Sequence, residues 1–390
     1  VSQSSIVLHG LDTVKVNVQF VSEEGIPCSH QELPQPLLDW LEWWQSQAQQ
    51  SRRPVPTAFS FHDARLVMYP NGASAWRYLL RNDCVEIKLG PRLSLRMVAK
   101  ITLLSAYLWD KGHPQAAIEE VRGLVYDLLN GKRFQFQVAQ LDMCADVVGL
   151  CLPTQWEEVF VTHALVKRPV AESQKERAYY RGRQLETIIF SGHGAPVNAK
   201  LYHKVKEIHQ KKDEKAWFFD LWRRHGWDGV AEVWRCEFSV EREGFREMGI
   251  ETIEEALRNL KRLWAYCSRE WLRMVIPDAE DRNRHRWAVH PLWEELQHAF
   301  DQDGDPALDA LGPLVRVPRR AKNIEQLTAQ LAGCATTLAA WYGEQEVPKE
   351  ADPCEIALQV AQAIVERWEE REVNVQDEIR AKRFIYSQVP

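Results

Sequence analysis

The order of local signals in the first 130 residues recurs from residue 135 onward. A repeat of that kind limits the fold more than any composition does, because both copies must build the same supersecondary unit. In the first copy, LDTVKVNVQF (11–20) alternates apolar and polar residues as a half-buried strand does. LLDWLEWWQ (37–45) has a helical apolar face, and ARLVMYPNGASAWRYLLRND (64–83) reads as a hairpin turning at Pro70-Asn71-Gly72. VEIKLG (85–90) is a short strand, SLRMVAKITLLSAYLWDKG (94–112) a strand running into a helix, and AAIEEVRGLVYDLLNG (116–131) an amphipathic helix ended by Gly131. In the second, FQVAQLDMCADVVG (136–149) is a strand, LETIIFSGHGAPVNAKLYHKVKEI (185–208) a strand, glycine turn and strand, and VAEVWRCEFSVEREGFREMG (230–249) a strand leading into a helix.

Laid together, LD at 11–12 matches LD at 141–142, MYPNGASAWRYLL matches FSGHGAPVNAKLYHK, and SLRMVAKI matches VWRCEFSV. Three matches in one order predict an α+β chain of two tandem related units, each an antiparallel sheet with helices on one face, followed by a C-terminal helical region. The expected division is 1–132, 133–300 and 301–390. If Arg96 corresponds to Arg235, Val98 stands where Glu237 stands, so the first copy lacks that carboxylate and chemistry belongs to the second.

With 390 residues the chain exceeds one ordinary core. No uncharged apolar run is long enough to cross a bilayer, and the polar start VSQSSIV does not read as a secretory leader, so a cytosolic address is expected. The eight cysteines are scattered, with no CxxC pair, and read as reduced thiols. The net charge of −6 argues mildly against nucleic acid, but it conceals a split. Residues 161–215 carry twelve Lys/Arg against six Asp/Glu, and residues 344–378 carry three against eleven. A local basic surface holds phosphates whatever the total charge; a solvated charged face explains the same counts equally well.

Past residue 250, Thr252 and Glu255 form a capping box that opens a helix. Its stripe of Ile253, Leu257, Leu260, Trp264, Cys267 and Trp271 has core spacing. DQDGD (301–305) resembles the start of a calcium loop but lacks the glutamate at the twelfth position, and reads as an acidic turn.

Three segments of the second copy carry polar residues that a strand places on one face: Asp142 and Asp146 with Cys144 between them, Arg235 with Glu237, and Tyr202 with Lys204. As neighbours in one sheet, these strands gather carboxylates, a phenol and an amine on one patch. Carboxylates that close repel unless a cation sits among them, and hard oxygen ligands suit Mg²⁺ or Mn²⁺. The chemistry that uses such a group is phosphoryl transfer from a phosphodiester to a protein hydroxyl. Each residue has a plainer explanation beside it: a packed tyrosine, a surface ion pair, an aspartate ending a strand.

QVAQLDMCADVVG, ETIIFSGHGAPVNAKLYHKVKEI and VWRCEFSVEREGFREMG resemble, in order, the blocks of the plasmid and phage rolling-circle replication initiation factors and the related relaxases of mobile elements. The resemblance covers residues 135 to about 290, and 1–130 more loosely. It implies that Tyr202 nicks one strand of origin DNA and stays joined to the 5′ phosphate. Asp142 and Glu237, with Asp146 as a third, would hold the metal, and Lys204 and Arg235 would contact phosphate. It further implies an origin hairpin or inverted repeat as target, and a host helicase and polymerase as partners. The chain departs from the family in lacking a His-hydrophobe-His motif, in placing His203 between Tyr202 and Lys204, and in having Ala139-Gln140 where a Ser-Arg pair is expected. His193, in the glycine turn, is a further candidate ligand, although loop histidines are more often solvated. The competing readings are a non-catalytic DNA-binding module and a protein that recruits replication partners through its C-terminal helices.

Overall fold

In the computed structural model, residues 5–28, 32–73, 75–91, 97–150, 152, 158–162, 176–181, 184–190, 195–210, 214–316, 331–334, 353–370 and 375–376 are described. In chain order the first part holds β1 (Ile6–Phe20), α1 (Gln35–Ser51), β2 (Val55–Phe61), β3 (Ala64–Met68), β4 (Trp76–Arg81), β5 (Val85–Pro91), β6 (Ala99–Leu103), α2 (Ser105–Lys111) and α3 (Pro114–Leu128). Next come β7 (Phe134–Val148), β8 (Phe160–Thr162), β9 (Glu176–Arg181), β10 (Gln184–Phe190), β11 (Val197–His203), α4 (Lys204–Gln210), α5 (Trp217–Arg224), β12 (Val233–Glu241) and α6 (Arg242–Glu247). Helices α7 (Ile253–Arg258) and α8 (Leu260–Ala265), a π-turn (Tyr266–Trp271), β13 (Leu272–Met274), α9 (Pro291–Gln297) and α10 (Pro306–Asp309) complete it. The chain divides into two compact units, Val1–Val317 and Pro318–Pro390, and the second contains helix α11 (Pro353–Glu370).

Eleven strands form one sheet in the order β2-β3-β4-β5-β6-β1-β7-β12-β11-β10-β9, with neighbouring strands antiparallel throughout. The two halves of the expected duplication therefore meet edge to edge, β1 against β7. One face is the core: Val14, Val16 and Val18 of β1, Phe136, Val138, Leu141 and Met143 of β7, and Phe238 and Val240 of β12 pack against the helices. Among those helices α7 opens on the expected capping box, with Thr252 and Glu255 bonding each other's backbone amides. The predicted stripe from Ile253 to Trp271 is buried throughout, although the helix is broken into α7, α8 and the π-turn.

Two β-bulges set which side chains face away from that core. The β1–β7 register steps from Lys15↔Gln140 to Val16↔Val138, leaving Ala139 as the extra residue, and from Leu11↔Met143 to Thr13↔Asp142, leaving Asp12. The bulge at Ala139 keeps Gln135 and Gln137 on the same face as Gln140, Asp142, Cys144 and Asp146, despite the change from odd to even numbers.

The ladder also reads alike from either strand. Outward from the central pair Val14↔Leu141, Lys15↔Gln140 answers Thr13↔Asp142, Asn17↔Gln137 answers Gly10↔Cys144, and Gln19↔Gln135 answers Leu8↔Asp146. The flanking strands follow, with Asn17↔Lys100 and Lys88↔Lys100 answering Cys144↔Glu237 and Lys200↔Glu237. The duplication is thus present in a different register from the one the sequence suggested. VEIKL of β5 answers VNAKL of β11, Lys100 rather than Val98 takes the place of Glu237, and Val14 rather than Leu11 answers Leu141. Hydrogen-bonded registers fix such equivalences, and short sequence matches slip along them by two or three residues.

Candidate active site

The three strands singled out in the sequence are neighbours, in the order β7-β12-β11. Their registers stack Asp146, Arg235 and Tyr202 in one row and Cys144, Glu237 and Lys200 in the next. Strand β11 alternates buried and partly exposed residues, so Lys200 and Tyr202 face away from the core. The Tyr202 hydroxyl lies 3.1 Å from Glu237 Oε2, to which it donates, and 3.4 Å from Lys204 Nζ, from which it accepts. Lys204 is the first residue of α4 rather than the last of the strand, and its ammonium reaches back over the Tyr202 ring at 5.3 Å. Glu207, one helical turn on, holds that ammonium at 2.9 Å. Lys200 Nζ stands 3.5 Å from the other oxygen of Glu237. His203 points to the opposite side, against Trp234.

Arg235 and Asp146 are bonded to each other instead of facing a ligand. Arg235 is fully buried, donating to Asp146 at 2.6 and 2.8 Å and to Asp12 at 2.7 Å. Trp222 Nε1 donates to Asp146 Oδ2 at 2.8 Å, so both oxygens of that carboxylate are engaged. Phe218 of α5 lies under the guanidinium at 4.5 Å and under the Lys204 ammonium at 4.9 Å. With Val7, Leu8, Ile208 and Val233 these α5 aromatics form a second apolar cluster that closes one end of the polar face. Gly10 is required there: a Cβ on it would lie 2.7 Å from the Trp109 ring.

Asp12 is the site residue that sequence reading missed. It sits in the β1 bulge, accepting from Ser105 and lying 3.8 Å from Lys215 as well as against Arg235. Burial works to raise its pKa, but Arg235, Lys215 and Lys204 outweigh burial and hold it well below the usual carboxylate range. Its signal in the sequence was the LD pair at 11–12, taken there only as a repeat match. Lys200 was also passed over, although it shares the Tyr202 face at the same two-residue spacing.

Burial, and after it Asp12, raises the Glu237 pKa. Burial and Glu237 raise that of Tyr202 well above the ordinary phenol value, and burial with Arg235 and Lys215 lowers that of Lys204. Each of these shifts favours the neutral form of its group, and the phenol stays neutral, donating to Glu237 with the Lys204 nitrogen on its other side. For a divalent cation the residues fit in part. Asp146 is committed to Arg235, Asp142 accepts from Gln140 and Ser239 through Oδ1, and Glu237 carries Tyr202 and Lys200. No set of three His, Cys, Asp or Glu side chains converges among the described residues, and His193 lies outside them. Asp142 and Glu237 are close enough that Asp142 contributes to raising the Glu237 pKa, and Mg²⁺ commonly takes one or two carboxylates with phosphate and water completing its shell.

Neither a family model nor a curated protein matches the chain. Among solved structures it is similar to a rolling circle replication initiator protein from Geobacillus stearothermophilus, at 12% identity and a TM-score of 0.41, covering 74% of this chain and 96% of that one. Likeness of that degree says nothing about which residues act. No helix among the described residues is long and apolar enough to cross a membrane.

Proposed function

We propose that the chain is a DNA strand transferase that nicks one strand at a replication or transfer origin and keeps its 5′ phosphate on Tyr202. The observation that carries this reading is the Tyr202 hydroxyl held between Glu237 and Lys204, at 3.1 and 3.4 Å, on a half-buried ring at the edge of a polar sheet face. In the proposed step the Tyr202 oxygen bonds to phosphorus as the P–O3′ bond breaks. The phenol proton passes to Glu237, and O3′ departs as a hydroxyl, taking a proton from water. Lys204 neutralises charge on the phenolate and on the phosphoryl oxygens, and Lys200, the more exposed of the two, receives the neighbouring phosphate. The product is a phosphotyrosine diester, so attack by a 3′ hydroxyl reverses the step and rejoins the strand. Asp142 and the Glu237 oxygen that faces away from the phenol would hold Mg²⁺ or Mn²⁺, which would supply charge neutralisation at the scissile phosphate. Arg235 acts through position: by pinning Asp146 and Asp12 it fixes β7, β12 and the β1 bulge around the tyrosine. Origin DNA with an unpaired nick site is the proposed substrate, and a helicase and polymerase that work from the freed 3′ end are the proposed partners.

A supercoiled plasmid carrying the DNA that flanks the coding sequence, incubated with the protein and Mn²⁺, tests the reading. Nicked circles with protein on the 5′ end are expected, and Tyr202→Phe removes them. A mobility shift with no nick from the wild-type protein would leave a DNA-binding module and no enzyme.

A further inference from the structure

The register symmetry that relates β7 to β1 carries the Tyr202 site onto a second place on the same sheet face. There Gly90 answers Tyr202, Lys100 answers Glu237, Lys15 answers Asp142, Asn17 answers Cys144, Gln19 answers Asp146 and Lys88 answers Lys200. No tyrosine stands there, and the positions of Glu237, Asp142 and Asp146 hold two lysines and a carboxamide, while Ala139 answers Asp12. The ring of the tyrosine has no counterpart at Gly90, where the Tyr78 ring lies 3.2 Å from where a Cβ would be.

What remains is a cavity of about 810 Å³ lined by Asn17, Gln19, Gln135, Gln137, Arg246 and the Arg242–Glu251 ion pair among others. Asn17 and Gln19 are over nine-tenths buried there. The four carboxamides bond one another, Asn17 to Gln137 at 3.2 Å, Gln135 to Gln19 at 3.2 Å and Gln137 to Gln19 at 3.5 Å. Gln19 Oε1 takes both Gln135 and Gln137, which holds the array in place, and each of those two amides, with two donors and two acceptor sites, spends only part of its bonding groups on these bonds. Carboxamides are costly to bury where apolar residues would serve, which marks the array as built for a polar ligand. Beside it stand Lys88 and Lys100, paired across β5 and β6, with Lys15 on the next strand. Lys88 also meets Glu86 at 2.8 Å, and Lys15 meets Gln140 at 2.7 Å, the residue two before Asp142. Burial, and after it Lys15 and Lys88, lower the Lys100 pKa, with Glu241 and Glu86 offsetting part of that crowding of like charge.

We infer that this converted copy is a second binding station for the same DNA strand, in which Asn17, Gln135 and Gln137, braced by Gln19, hold unpaired bases by their edges and Lys15, Lys88 and Lys100 hold the adjoining phosphates. The inference rests on the proposed function for its choice of DNA, and on the polar face being continuous from the carboxamides through Gln140 to Asp142 and Glu237. A carboxamide presents donor and acceptor side by side, the pattern that base edges offer in return, while lysine ammonium groups read charge without reading sequence.

The test uses fluorescence anisotropy on the full chain, without divalent metal, with two DNA single strands of about 20 nucleotides, one of mixed sequence and one abasic throughout. The wild-type protein is expected to bind the mixed strand more tightly than the abasic one. Gln135→Ala/Gln137→Ala closes that gap and leaves the salt dependence alone. Lys88→Gln/Lys100→Gln weakens both strands alike and lowers the salt slope by roughly 0.7 for each phosphate that is no longer neutralised. Gln137→Met, nearly the same size, narrows the gap with an unchanged melting temperature and so separates base recognition from folding. A gap unaltered by the carboxamide changes, or lysine variants that bind as the wild type does, would overturn the inference. Binding is read here without cleavage, so a protein that shows the gap but never nicks would remove the enzymatic reading and keep the second station.

Discussion

At the scale of single residues, the base proposed for the reaction, Glu237, sits where burial and Asp12 make its charge unwelcome and its hold on a proton stronger. Because its folded-state pKa is raised, folding binds its proton more tightly than the unfolded chain does, and stability falls as pH rises from the unfolded value through the folded one. Glu237→Gln is thus expected to raise the melting temperature at pH 7, with the gain vanishing on the acid side of the ordinary glutamate pKa. The same change slows nicking by about 10²- to 10⁴-fold, the usual worth of a positioned base. Equal melting temperatures across that pH range would show that Glu237 is not held at a cost. Arg235 behaves oppositely, since removing it strands two buried carboxylates. Arg235→Ala is expected to lose about 3–5 kcal/mol in denaturant unfolding, and a loss under about 1 kcal/mol, the range of exposed pairs, would place the guanidinium outside the core of the site.

At the scale of elements, the strands were legible because half-burial writes itself as alternation, and LDTVKVNVQF and VNAKLYH both show it. So was the neighbourhood of β7, β12 and β11, since polar residues at even spacing on three strands need a shared face. The bulges were not legible. Ala139 and Asp12 each insert one residue without a glycine or proline to announce it, and the bulge at Ala139 decides that Gln135 and Gln137 share a face with Asp142. The aromatic lid was hidden for a related reason: Phe218 and Trp222 have ordinary core spacing in α5, and only the packing reveals that they lie on Arg235 and Asp146. The fit between α2 and β1 is a testable part of this arrangement. Gly10→Ala drives a methyl into the Trp109 ring, and a loss of about 1–3 kcal/mol in unfolding free energy is expected, as for other overpacked sites. A variant as stable as the wild type would mean that Trp109 does not close over the strand.

For the whole molecule, the two copies differ in what they present on one sheet face. Two copies joined at Val14↔Leu141 present one continuous polar face, one end armed with a phenol, carboxylates and an amine, the other with amides and lysines. The net charge of −6 conceals this, because the cations that matter are few and gathered on one face while the acidic excess lies in residues 344–378. What the sequence could not reveal is which residues of the first copy stand at the register positions of Glu237 and Lys200, namely Lys100 and Lys88. The claim on which all of this depends is that Tyr202 forms the covalent bond. Trypsin cuts after Lys200 and Lys204, so the tyrosine is released in the short peptide Leu201–Lys204. Mass spectrometry of protein digested with trypsin and nuclease after reaction with its own origin DNA and Mn²⁺ should find that peptide carrying a nucleotide through a phosphodiester on the phenol. Finding the nucleotide on another residue, or the peptide unmodified when the DNA has been nicked, would contradict the account.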